Sequence, residues 1–232
     1  EKAFVLGNGI NFDWTDYLFN DAAPVVQADA SIRGASEKTN YYVSMGYYSE
    51  KGTAKANSGV DRFTFRTNLD TQVVDWLKFG ANVALTYSKY QTIVTGWYTQ
   101  SPILQAVTAL PYKSPYEIIY NPDGTISWGD PYEVYPWDNM IDLNQYYEKN
   151  TNNRQSMDLM GQTYFLLTPV KGLTIRAQQA VDAYDYTNTS INYPSYEPDS
   201  ARGRNGKAFQ RYYQLSSTNT AEYKTDINKK HF

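Results

Sequence analysis

Cysteine is absent from the 232 residues, and histidine occurs once. The first absence removes thiolate nucleophiles, disulfides and cysteine metal sites together. It fits an exported protein handled without disulfides and many cytosolic proteins equally. The single imidazole is His231, beside Lys229 and Lys230. It stands apart from any serine that it would have to activate as a base. No Gly-x-Ser-x-Gly elbow and no phosphate-binding loop occur. Arg202-Gly203-Arg204-Asn205-Gly206-Lys207 is basic and glycine-rich but lacks the phosphate-loop spacing. Asp182, Asp185 and Asp199 lack metal-ligand spacing. The sequence therefore offers no catalytic residue, no metal site and no cofactor.

Charge is also scarce, at 19% of residues, with 21 Lys+Arg against 24 Asp+Glu for a net charge of -3. No basic stretch has the density of a phosphate-contacting patch, which excludes nucleic acid as a partner. Long apolar runs are missing too. No window holds about 18 consecutive apolar residues, so a helical membrane bundle is excluded. Glu1 to Phe12 has no basic n-region followed by an apolar h-region. Either a signal has been removed or the chain starts within a longer protein.

What the sequence has in quantity is rings. Aromatics make up 16% of residues and 23 of them are Tyr, too many for a disordered tail. Mean hydropathy is nevertheless polar, at -0.62. The arrangement along the chain reconciles the two. Phe63, Phe65, Thr67, Leu69, Thr71 and Val73 alternate with Arg62, Thr64, Arg66, Asn68, Asp70 and Gln72. Such a period of two means a strand with one apolar and one polar face. Leu77 to Ser88 repeats the pattern, as do Val26 to Arg33, Asn40 to Tyr47, Ser156 to Thr168 and Leu173 to Ala183. A seventh candidate, about Phe209 to Ile227, has its apolar face interrupted by Ser217 and Asn219.

The best runs are roughly 12 to 14 residues, against about 5 to 6 for a typical soluble strand. Thirteen residues at ~3.3 Å span ~43 Å, or about 33 Å of height at a tilt of ~40°, enough to cross a bilayer core. The connections alternate. Gly34–Lys38, Asp75–Trp76 and Pro169–Gly172 are short, whereas Glu50–Val60, Thr92–Gln155 and Asn188–Phe209 are long. Short turns at one end and long loops at the other mark an outer-membrane barrel, with the short end periplasmic. Trp76 and Phe79 at the short end, and Tyr47, Tyr48, Tyr87, Tyr90, Tyr184 and Tyr186 at the long end, read as two aromatic girdles.

Several stretches carry a resemblance. Asp13-Trp14-Thr15-Asp16, with Leu18-Phe19 and Ala23-Pro24, resembles a tryptophan-acidic segment leading into an early barrel strand. Gly34-Ala35-Ser36-Glu37-Lys38-Thr39-Asn40-Tyr41-Tyr42-Val43 matches a family hairpin almost residue for residue. Asp61-Arg62-Phe63 through Asn68-Leu69-Asp70, then Trp76-Leu77-Lys78 and Gly80, match the following hairpin. Asn121-Pro122-Asp123-Gly124-Thr125 and Pro169-Val170-Lys171-Gly172-Leu173-Thr174 add two shorter turns. Together they resemble the SusC/RagA family of TonB-linked outer-membrane transporters over most of the chain. Trp137 to Gln145 departs from it by lacking the asparagine-proline pair common in the family's long loop.

The resemblance implies an all-β fold, an antiparallel transmembrane β-barrel segment of about seven strands from a larger, plugged barrel. Seven is odd and below the smallest closed barrel. At ~33 residues per strand, a barrel of about 22 strands needs roughly 730 residues, so this is about a third of one. Residues 1–24 are expected to lead into the barrel and 25–232 to form its wall, with extracellular loops at about 92–155 and 188–209. A short helical turn is expected around Trp14 to Phe19. The implied function is TonB-dependent import of an oligosaccharide or oligopeptide. The implied partners are a SusD-like lipoprotein, the TonB complex acting through a plug not recognised in these residues, the remainder of the barrel, and outer-membrane lipid. A passive outer-membrane porin and a soluble carbohydrate-binding β-sheet module are the alternatives.

Two sets of candidate site residues follow. Trp97, Trp128, Tyr132, Tyr135 and Trp137, in the long loop beside carboxylates such as Glu117 and Asp130, would stack on cargo or touch the lid. Arg62, Arg66, Asp70, Asn82, Arg176 and Asp182, on the polar strand faces, would line the lumen or contact the plug.

Overall fold

The computed structural model describes residues 10–56, 58–93, 95, 101–132, 143–194 and 203–225. Seven long strands form one antiparallel sheet. They are β1 (Val25–Ala35), β2 (Thr39–Lys51), β3 (Gly59–Val74), β4 (Leu77–Gln91), β7 (Thr151–Leu167), β8 (Leu173–Asn192) and β9 (Arg204–Tyr223). Their order in the sheet is their order in the chain. Between β4 and β7 the chain makes helix α2 (Pro102–Thr108), the hairpin β5 (Tyr116–Tyr120) and β6 (Ile126–Pro131), and helix α3 (Leu143–Lys149). Helix α1 (Trp14–Leu18) precedes β1. Among the described residues no strand pairs the outer edge of β1 or β9.

The short turns are chemically specified. Ser36 Oγ accepts from Thr39 N–H at 3.0 Å and from Lys38 N–H at 3.3 Å, closing β1 onto β2. Gly172 sits at φ 88 between β7 and β8, a left-handed conformation that glycine adopts without a Cβ penalty. A Cβ there would lie 2.2 Å from the Lys224 carbonyl oxygen.

Register puts the alternating patterns on common faces. The row Phe65–Leu85–Leu159–Ala183–Tyr213 runs across β3, β4, β7, β8 and β9. Met45 and Ala30 continue it onto β2 and β1. The neighbouring row Arg66–Ala84–Met160–Asp182–Gln214 lies on the opposite face. One face is thus apolar and aromatic, the other polar and charged. No buried apolar side chain among the described residues belongs to the sheet. Ile10, Trp14, Leu18, Ala54, Ala56 and Tyr147 form the buried apolar set, all in segments at the long-loop end. A soluble sandwich would bury one face of its sheet against a second layer, and none is described here.

Three expectations are corrected. The seventh strand is complete, since β9 pairs with β8 over its full length from Leu173↔Tyr223 to Asn192↔Arg204. Backbone pairing tolerates the polar interruptions at Ser217 and Asn219. Strands β7 and β8 also run further into the long-loop end, beginning at Thr151 and ending at Asn192. Finally, Tyr48, Tyr90, Tyr184 and Tyr186 do not belong to an outer girdle. Their even-numbered positions share the polar face with Arg62, Ser88 and Asp182, because the strand period is two. Tyr47 and Tyr87 stay on the apolar face, both beside Phe63.

Candidate functional site

The polar face carries several hollows. A hollow of about 480 Å³ on it is lined by Arg66, Asn82, Met160, Ala180, Asp182 and Gln214, among others. Small side chains at Ala84, Ala180 and Ser216 form the floor. Arg66 and Asp182 stand in one register row, with Ala84 and Met160 between them. Three strand spacings of ~4.8 Å separate them by about 14 Å. A second hollow of about 290 Å³ joins Asp29, Arg62 and Arg66, and there the Arg62 guanidinium lies 5.0 Å above the Tyr48 ring.

Nearer the short turns, four strands contribute to one cluster. Tyr164 on β7 crosses over Gly80 on β4, and its hydroxyl donates to Asp70 on β3. Lys78 Nζ lies 3.7 Å from the same carboxylate, and the Arg176 guanidinium of β8 sits 4.6 Å above the Tyr164 ring. Only glycine leaves room for this crossing, since a Cβ on residue 80 would lie 2.1 Å from Tyr164 Cε1. All six strand candidates, Arg62, Arg66, Asp70, Asn82, Arg176 and Asp182, therefore occupy one face. Arg66, Asn82 and Asp182 meet at the 480 Å³ hollow, Asp70 and Arg176 meet through Tyr164, and Arg62 joins Arg66 at the second hollow beside Tyr48. Sequence reading passed over Tyr164, Lys78 and Gly80. A glycine opposite a tyrosine in adjacent strands was the available signal.

The long-loop end is a folded cap. Asp13 Oδ1 accepts from the Thr15 and Asp16 N–H groups at 2.9 and 3.0 Å, capping α1. That cap turns Trp14 and Leu18 inward, where they are 3% and 1% exposed. Phe12 is the hub of an aromatic cluster. Its centroid lies 5.0 Å from Trp14, 5.4 Å from Tyr17, 5.3 Å from Trp128 and 6.1 Å from Tyr116. Trp14 Nε1 donates to the Leu110 carbonyl at 3.3 Å, tying the segment before β1 to the long loop. Ser101 caps α2, with its hydroxyl accepting from Leu104 N–H at 3.4 Å. In the β5–β6 turn, Asp123 accepts from both the N–H and the hydroxyl of Thr125, at 3.0 and 2.6 Å. Those two bonds hold the Asp123 carboxyl below its usual range, the hydroxyl bond contributing most.

Of the loop candidates, Trp128 packs edge-on against Phe12 at the rim of this cluster and is 38% exposed. Tyr132 anchors the end of β6 through its N–H to the Pro115 carbonyl at 3.0 Å. Burial and the Glu117 carboxylate raise the Tyr132 hydroxyl above the ordinary tyrosine value. Trp97, Tyr135 and Trp137 lie outside the described residues.

No protein-family model matches the chain. Over 225 residues, 95% of its length, it is 32% identical to a TonB-dependent receptor of Formosa agariphila. A second TonB-dependent receptor of that organism matches at 28% identity over 116 residues, 50% of this chain and 11% of the receptor. The solved RagAB peptide transporter superposes with a TM-score of 0.72 at 27% identity, covering 95% of this chain and 24% of that one. The chain is a SusC/RagA-like β-barrel segment.

The RagAB peptide importer in its open-open state matches this SusC/RagA-like segment at a TM-score of 0.74 and 28% identity, over 94% of this chain and 24% of that one. The segment spans 21% of the first receptor's length. Its relatives are receptors and transporters, not enzymes. In a barrel the polar face is the inner wall and the apolar face meets lipid.

Proposed function

We propose that the chain forms part of the wall of a TonB-dependent outer-membrane importer of large nutrients, oligopeptide or oligosaccharide. The observation that carries this reading is the match to a TonB-dependent receptor at 32% identity over 95% of the chain. Residues 1–24 lead into the barrel and 25–232 form its wall. The long-loop end faces the cell exterior, with the β4–β7 and β8–β9 connections outside, and the short turns face the periplasm. The remainder of the barrel pairs with β1 and β9, and outer-membrane lipid covers the apolar face. A SusD-like surface lipoprotein rests on the cap. TonB acts through a plug supplied by other parts of the protein. The likeness to the RagAB peptide transporter favours oligopeptide as the first class to test.

In this reading Arg62, Arg66, Asp70, Asn82, Arg176 and Asp182 face the plug or passing cargo. The dense pairing of Asp70, Lys78, Tyr164 and Arg176 suits a fixed contact with the plug. The open Arg66–Asp182 hollow suits something that moves. Trp128 and Tyr132, with Trp97, Tyr135 and Trp137, contact cargo or the lid. The Ile103, Val107 and Leu110 side chains, 54%, 77% and 43% exposed, add an apolar surface on the cap for that lid.

The test is uptake by cells carrying the full-length protein. Growth on a defined oligopeptide mixture or glycan should require both this gene and TonB, and a surface lipoprotein should copurify from detergent. Uptake that persists without TonB would favour a passive porin and overturn the proposal.

A further inference from the structure

Charge on the apolar face of the sheet is confined to one end. Register places Lys51, Asp61, Lys89, Asp185, Lys207 and Arg211 on that face. All of them lie in the half nearest the long loops, and the half nearest the short turns carries no charged residue. Both acids are already engaged. The Tyr47 hydroxyl donates to Asp61 Oδ1 at 3.1 Å, and Arg211 Nε donates to Asp185 Oδ2 at 2.7 Å. Among the described residues, Lys51, Lys89 and Lys207 make no ion pair. A chain of net charge -3 thus leaves unpaired cations along one rim of its apolar face.

The height of that rim is set by strand length. Lys51 and Lys89 each lie twelve residues from the short-turn end of their strand, at Thr39 and Leu77. Twelve residues at ~3.3 Å span ~40 Å, or about 30 Å of height at a ~40° tilt. That equals the ~30 Å hydrocarbon core, so both side chains stand where acyl chains give way to headgroups. The rows beneath them are apolar. Tyr47, Phe63 and Tyr87 form one, with the Tyr47 and Phe63 centroids 4.8 Å apart, and Met45, Phe65 and Leu85 form the next. Lys89 Nζ lies 5.9 Å from the centroid of the Tyr87 ring.

Lys51 and Lys89 flank a notch. Strand β3 runs between them and carries Gly59 beside Lys51, with Gln91 across from it on β4. A Cβ on residue 59 would lie 2.5 Å from the Glu50 carbonyl oxygen, so the floor between Lys51 and Gln91 stays clear of side chains. Ser49 and Asp61 share the neighbouring row with Lys89. Two strand spacings of ~4.8 Å and one two-residue step of ~6.6 Å separate the lysines by about 12 Å. Their flexible four-carbon stems let both ammonium groups turn toward one anion between them.

Resting on the membrane-spanning reading above, we propose that Lys51 and Lys89, with Ser49 and Gln91, form a site for the phosphate headgroup of an outer-leaflet lipid. Lysine binds phosphate as a compact point charge, and the hydroxyl and amide add neutral donors. Basic clusters at headgroup level recognise anionic lipids in this way. The acyl chains lie over the Tyr47–Phe63–Tyr87 and Met45–Phe65–Leu85 rows directly below. Those rows select a lipid over a soluble anion, which would use the cations and leave the apolar surface idle. Asp61 does not exclude a phosphate, because its carboxylate is bonded to Tyr47 and stands opposite Lys89.

The test uses the full-length protein in detergent, mixed with lipid and read by native mass spectrometry. The probe is an acylated glucosamine disaccharide bearing two phosphates, compared with the same lipid stripped of both. Every variant is first shown to keep the heat-modifiable mobility of a folded barrel. The parent should retain the phosphorylated lipid about tenfold over the stripped one, since each lysine near an anionic surface contributes severalfold. Lys51→Gln combined with Lys89→Gln should abolish that preference, and the paired arginine changes should keep it. Lys171→Gln, in the short turn at the opposite end, should leave it unchanged. Equal retention of both lipids by the parent, or a preference that survives the paired glutamine changes, would overturn the site and leave the importer reading standing. Displacement of the lipid by millimolar inorganic phosphate would mark a free-anion site and overturn the lipid assignment. A protein that stays in solution as a monomer without detergent would overturn the site and the membrane-spanning reading together.

Discussion

Replacing Gly80 by alanine puts a methyl group where the ring of Tyr164 lies. The added Cβ would sit 2.1 Å from Cε1 and 2.4 Å from Cζ of that ring, and 2.8 Å from Asp70 Oδ1. The ring must swing away, taking its hydroxyl from Asp70 and its face from Arg176. A hydrogen bond to a charged group contributes about 1.5–3 kcal/mol, and half-exposed Asp70, at 41%, argues for the lower end. The Arg176 stacking adds ~0.5–1 kcal/mol. Gly80→Ala should therefore destabilise the folded barrel by about 2 kcal/mol, although alanine suits a strand better than glycine does. Urea titration of the heat-modifiable band of the full-length protein in detergent measures this. Tyr164→Phe, which removes only the hydroxyl, should cost about 1.5 kcal/mol. The double variant should cost less than the sum by about 1 kcal/mol or more, because both changes remove the same bond. A neutral Gly80→Ala, or full additivity, would refute the crossing geometry.

Two further outcomes concern the cap. Trp14→Ala should remove the buried ring of the aromatic cluster at a cost of about 3–5 kcal/mol, confined to the loops. Amide exchange should then rise in residues 101–132 and stay slow in β3 and β4. Asp123 has a depressed carboxyl, so its contribution is present above the ordinary carboxylate range and is lost as pH falls below it. The Thr125 amide should exchange faster in acid than at neutral pH, and Asp123→Asn should flatten that dependence. An unchanged Thr125 amide through the acid range would contradict the turn.

The sheet was largely legible because each strand needs only local alternation to declare its faces. The same rule, carried through Tyr184 and Tyr186, would have placed those rings on the inner wall. Their position near a strand end suggested a girdle, and parity decides otherwise. The outer ends of β7 and β8, Thr151–Gln155 and Thr187–Asn192, have no apolar alternation. Above the lipid both faces are wet, and backbone pairing alone continues the ladder. The cap was hidden for a different reason. Phe12 and Trp128 are far apart in sequence, and the bond from Trp14 to Leu110 spans 96 residues, so no local period announces them. The β5–β6 hairpin left one trace, the Asn-Pro-Asp-Gly turn, and its strands of five and six residues were too short to show a pattern. Among the site candidates, the polar strand positions followed from parity alone, whereas the loop aromatics had no rule separating a packing ring from a binding one.

The central claim is that one chain face meets lipid and the other meets an aqueous inner wall. Scanning cysteines through Asp61 to Val74 in the full-length protein, in outer membranes, tests it most directly. Phe63, Phe65, Leu69 and Thr71 variants should be reached by lipid-soluble quenchers and shielded from water-soluble maleimides. Thr64, Arg66, Asn68 and Asp70 variants should show the reverse. A sustained period of two across these positions is the predicted result; uniform access to the water-soluble reagent on both faces would contradict the account.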